Sequence, residues 1–69
     1  MTRAEKIARN RADKRIDAAY RTTCSGIQID IMDIGKVFEH GRRLITMDHV
    51  NDEQLRFGIR EYVETIRQN

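Results

Sequence analysis

At Cys24-Ser-Gly-Ile-Gln-Ile-Asp-Ile-Met-Asp-Ile-Gly35 the chain changes character, from a basic segment before it to amphipathic segments after it. Isoleucine stands at 27, 29 and 31 in strict alternation and again at 34, and Gly26 and Gly35 bracket the run. With period two, Ile27, Ile29 and Ile31 share one side of a strand, and Gln28, Asp30 and Met32 share the other. With period 3.6, Ile27, Ile31, Ile34, Phe38, Gly41 and Ile45 line one long helix, with Gly35 inside it at a cost of about 1 kcal/mol relative to alanine. Ser25-Gly26 before the run and Asp33-Ile34-Gly35 after it favour a short extended segment or strand at 27–32. On that reading Asp33 caps a helix that begins at Ile34.

On the C-terminal side the pattern is clear. Ile34, Val37, Phe38, Gly41, Leu44 and Ile45 recur at three- and four-residue steps, which predicts a helix over about 34–46. Gly41 on its apolar side predicts close approach of another backbone. Asn51 and Gln54 form a capping pair, with Val50 and Leu55 at the staple positions, so a third helix is expected over about 51–67. Its inward stripe is Leu55, Ile59, Tyr62, Val63 and Ile66, and Arg56, Arg60, Glu61, Glu64 and Arg67 face water.

On the N-terminal side, Thr2 and Glu5 read as a capping box that opens a helix over about 2–23. Ala4, Ile7, Ala8, Ala12, Ile16, Ala19 and Tyr20 make a thin apolar stripe. Thr22, Thr23, Ser25 and Gly26 read as its exit, with Gly26 suited to the left-handed position. The fold class is therefore mainly α: three helices in one small domain of 69 residues. Residues 1–23 would be a basic N-terminal helix and 27–67 a hydrophobic helical body.

A chain this short buries only about 60% of its unfolded surface. Such domains add disulfides, a metal or a second copy. Cys24 is the only cysteine, and Cys24, His40 and His49 have no zinc-site spacing, so neither a metal nor another cofactor is expected. A homo-oligomer is the expected support, with Ile27, Ile29, Ile31, Phe38 and Gly41 at its interface. No apolar run approaches a membrane span or follows Thr2-Arg-Ala-Glu5 as a secretory signal would, and a single thiol fits a reducing compartment. The expected setting is cytoplasmic.

Charge is unevenly placed. Residues 1–21 carry seven basic and three acidic side chains, a net of +4, and residues 22–69 carry six and eight, a net of −2. An anionic partner for the basic helix follows, through Arg9, Arg11, Lys14, Arg15 and Arg21, with Thr22, Thr23, Ser25 and Gln28 as polar neighbours. No nucleophile stands beside a base, and neither Gly35 nor Gly41 is followed by the Lys-Ser or Lys-Thr of a phosphate loop, so no enzyme is expected.

The order strand, helix, loop, helix over 27–67 resembles the ribbon-helix-helix family of small dimeric DNA-binding repressors. The resemblance rests on alternating Ile27, Ile29 and Ile31, the Ile34–Ile45 helix and the terminal Ile59–Ile66 segment. It implies a strand paired antiparallel with its mate and placed in the major groove, so that Gln28, Asp30 and Met32 face the bases. Gln28 suits adenine. Asp30 departs from that role, because it brings negative charge to phosphates, and the 26-residue leader departs from the family's minimal form.

Three functional classes follow. The first is a homo-oligomeric nucleic-acid-binding regulator using the basic helix. The second is an accessory protein of a phage or other mobile element that binds and blocks a host protein through the isoleucine stretch. The third is a binder of an anionic metabolite or nucleotide at Arg21, Thr22, Thr23 and Ser25.

Overall fold

A computed structural model describes residues 2–68. The elements are α1 (Arg3–Thr23), α2 (Ile31–Met47) and α3 (Asp52–Gln68). α1 and α3 begin where side chains satisfy their free amides. Thr2 accepts from the Glu5 amide at 3.2 Å. At α3 the Asn51 amide donates to Gln54 Oε1 at 3.0 Å and the Gln54 amide returns a bond to Asn51 Oδ1 at 2.8 Å. Gly26 takes φ +84° after α1, where a side chain would be strained.

The helices alternate in direction. Arg42 of α2 pairs with Asp13 of α1, and Gly41 meets Ile16, so α2 runs back along α1. His40 stacks on Tyr62 and Leu44 packs on Gly58, so α3 runs back along α2 and parallel to α1. Ile16, Val37, Leu55, Ile59 and Val63 are fully buried at the centre, with Ala12, Ala19 and Cys24 around them. Burying side chains of this kind contributes about 1.5–3 kcal/mol each. Small residues let the helices come close. A Cβ built on Gly41 would lie 2.8 Å from Ile16 Cγ1, and one on Gly58 would lie 2.7 Å from Leu44 Cδ1. Among the described residues no helix is long and apolar enough to cross a membrane.

The expected strand at 27–32 does not form, and an extended segment over that whole range is not supported. Residues 27–30 are an irregular connection, and Ile31 and Met32 already belong to α2. The alternation at 27–30 has another cause. Ile27 and Ile29 pack against the chain's own core, and Gln28 and Asp30 are exposed. Period two therefore marks a connection that lays alternate side chains over the end of the bundle. The same finding removes the paired ribbon that the resemblance implied. The single long helix fails only at its start, because residues 27–30 are irregular; from Ile31 onward α2 follows it, with Gly35 inside the helix.

α2 starts three residues before the expected Ile34. Asp30, in extended backbone, is its N-cap, and the Ile34 amide bonds to the Asp30 carbonyl at 2.9 Å. Both Asp30 and Asp33 then stand at the positive end of the helix dipole, which favours the earlier start.

Candidate nucleic-acid interface

α1 carries the basic residues, and the fold sorts them into separate groups. Residues 2–11 are all exposed, and burial begins at Ala12. The apolar stripe expected along the whole helix is buried only at Ala12, Ile16 and Ala19. Ala4, Ile7 and Ala8 remain exposed. One side of this first part, Glu5, Ala8 and Arg9, lines a cleft with Arg42, Ile45 and Thr46 near the end of α2. Arg11 is exposed farther round the helix.

Two of the three acids within the basic helix are already paired. Asp13 Oδ1 lies 2.8 Å from Arg42 Nε, with both side chains about one-third exposed. Asp17 Oδ2 lies 3.1 Å from Arg21 Nε one turn on. Arg3, Lys6, Arg9, Arg11 and Lys14 have no carboxylate within 4.0 Å among the described residues. Over residues 3–14 that leaves five cations against the carboxylate of Glu5.

Of the nine residues expected at an anion site, several are held by the protein itself. Arg15 donates from Nε to Asp52 Oδ1 at 2.9 Å and from its terminal nitrogen to the Val50 carbonyl at 3.0 Å. Thr22 and Thr23 donate to the carbonyls of Ala18 and Ala19 at 2.8 and 2.7 Å. With Arg21 on Asp17, the polar cluster at the end of α1 holds its own helix together. It also stands at a helix C-terminus, where the dipole repels anions. Ser25 and Gln28 are exposed on the connection. Arg9, Arg11 and Lys14 are the expected contacts that remain available.

Lys14, Arg15 and Thr22 line a cleft of about 280 Å³ against Asp52 and Arg56 of α3, over Ala18, Ala19 and Leu55. Arg56 was expected to face water, and its place in this cleft is the main addition. A usable signal was its position next to Leu55, the first buried residue of α3. Arg42 is the second addition, since its charge neutralises Asp13.

The residues expected at an oligomer interface divide likewise. Gly41 is buried against Ile16, and Ile27, Ile29 and Phe38 pack on the core of the same chain. Ile31 alone is largely open, at 82% exposed. Met32 beside it, Met47 at the other end of α2, Phe57 on α3 and, to a lesser degree, Ile7 on α1 are also exposed among the described residues. His40 stacks on Tyr62, ring centres 4.4 Å apart and planes 11° from parallel. The Tyr20 hydroxyl is pushed above its usual pKa by burial, with neighbouring Cys24 as a second cause. Compared with protein-family models, curated proteins and solved structures, the chain matches none.

Proposed function

We propose that this is a small non-enzymatic nucleic-acid-binding protein whose N-terminal helix presents cations to the phosphate backbone. The observation that carries the reading is the pairing of Asp13 with Arg42 and of Asp17 with Arg21. Two of the three acids that interrupt the basic run are thereby cancelled. Arg3, Lys6, Arg9, Arg11 and Lys14 are left as exposed positive charge along one helix. A helix is about 10–12 Å across, which the major groove of B-DNA admits. Phosphate contact positions without specifying, so the binding is mainly sequence-independent and steeply salt-dependent. A second copy is not needed to cover Ile27 and Ile29, because their own core does so.

The test is affinity for a duplex and for a single-stranded oligonucleotide at low and moderate salt. Five phosphate contacts imply a loss of affinity of more than a hundredfold between about 50 and about 200 mM salt. No binding to either oligonucleotide at the lower salt and micromolar protein sinks the reading.

A second reading is favoured by one observation: Ile31 and Met32 stand side by side at 82% and 77% exposure. Such a pair suits an apolar anchor for another protein, with Asp30 and Lys36 as a charged rim. Replacing both with glutamate would abolish capture of a partner under this reading and leave nucleic-acid binding nearly unchanged under the first.

A further inference from the structure

The cleft between α1 and α3 joins cations from two helices. Lys14 of α1 and Arg56 of α3 both line it, and neither has a carboxylate partner within 4.0 Å among the described residues. The one acid in the lining, Asp52, is neutralised by Arg15 at 2.9 Å. Arg15 is also tied to the Val50 carbonyl, so this pair bridges α1 to the start of α3. The floor is Ala18, Ala19 and Leu55, whose small or inward side chains leave about 280 Å³ open. Two free cations thus meet in a concave site with no uncompensated negative charge.

We propose that the nucleic-acid backbone crosses from α1 onto α3 here, with one phosphodiester seated between Lys14 and Arg56. Arg15 bridges the two helices beside the seat through the Val50 carbonyl as well as through Asp52, and the first of these contacts does not depend on the Asp52 charge. This rests on the reading above and adds to it a second helix and a cation outside the basic run. Arg15 is a reserve charge in the arrangement: it lines the cleft, and Asp52 cancels it.

The experiment titrates the full chain against a labelled duplex and a labelled single strand at two salt concentrations. Arg56→Gln is compared with Arg43→Gln, and Asp52→Asn with Glu39→Gln. Arg43 and Glu39 form an exposed pair on α2 at 3.4 Å, outside the lining of this cleft, so the controls change net charge equally. Arg56→Gln is expected to weaken binding about fivefold and lower the salt slope by about one, against less than twofold for Arg43→Gln. Asp52→Asn is expected to strengthen binding about threefold by releasing Arg15, and Glu39→Gln is not. A gain of affinity cannot come from misfolding. If the two losses are equal and the two gains are equal, binding follows net charge, the seat is overturned and the nucleic-acid reading stands. If the unaltered chain binds neither oligonucleotide, both are overturned, including where it binds vesicles of anionic phospholipid instead.

Discussion

Residues 3–11 and residues 12–23 belong to one helix and carry four and three basic side chains respectively. The first part has no buried residue; the second supplies Ala12, Ile16 and Ala19 to the core and ties Arg15 and Arg21 to neighbours, leaving Lys14 as its one basic side chain without a carboxylate partner among the described residues. Charge count alone therefore does not mark a binding surface. In the second part Arg15 and Arg21 are held by Asp52 and Asp17. In the first part Arg3, Lys6, Arg9 and Arg11 are exposed and, among the described residues, have no carboxylate within 4.0 Å, so a phosphate can approach them without breaking an ion pair. Stability and binding should therefore separate along α1.

The largest effect that would break this division is at Ile16. Ile16→Ala should cost about 3–4 kcal/mol of unfolding free energy, since Ile16 is fully buried. A loss under 1 kcal/mol in chemical denaturation would mean that α1 docks less firmly than described. Gly41→Ala comes next, at about 2 kcal/mol, because its new Cβ would meet Ile16 Cγ1 at 2.8 Å. The Ile16→Ala/Gly41→Ala double variant should cost less than the sum, because the new methyl moves into vacated space. Additive costs would argue against that contact.

The third effect lies in the exposed part. Replacing Lys6, Arg9 and Arg11 together with glutamine should weaken nucleic-acid binding about a hundredfold at low salt, since three phosphate contacts are lost. The midpoint of thermal unfolding should hardly move, because these side chains are exposed. A large drop in stability would erase the distinction between the two parts. The smallest effect is the pH response of Tyr20. Its folded pKa is raised above 10.0 by burial, so the folded state holds the phenolic proton more tightly than the unfolded chain. That contribution is complete below about pH 10 and fades as pH rises through the folded pKa. The midpoint should fall more steeply in this alkaline range than for Tyr20→Phe, and equal slopes would remove Tyr20 as a contributor.

Much of the fold was legible because it is written in short-range signals. The Asn51–Gln54 cap, the Val50 and Leu55 staple positions and the stripes of α2 and α3 depend on neighbours within a few residues. Gly41 also announced a close neighbour, but the space is filled by the Ile16 side chain and not by the backbone expected there. The segment 27–30 was misread because alternation reports only that one side is covered. It does not say whether a strand, a second copy or the chain's own core does the covering. Asp30 and Asp33 are equally good caps locally, and only the docking of Ile27 and Ile29 on the core accompanies the earlier start. The candidate interface was half visible. Basic residues on α1 could be counted, but Asp13–Arg42 and Arg15–Asp52 join residues 29 and 37 positions apart. Arg56 was missed for the same reason, since its cleft exists only once α3 lies parallel to α1.

The exposed opening turns of α1 have a consequence for how the basic helix comes to be ordered. Starting a helix from coil is the unfavourable step, and adding residues to one already formed is nearly neutral. Residues 3–11 alone fall short of the roughly 12 residues below which an isolated helix is marginal in water. Here they continue a helix whose later turns are fixed by Ile16 and Ala19, with Thr2 closing the free end. The packed half acts as a seed, and the charged half grows from it. Amide protons should accordingly exchange fastest near Arg3 and more slowly toward Ala12. A partner that grips the opening turns would flatten that gradient without altering the core.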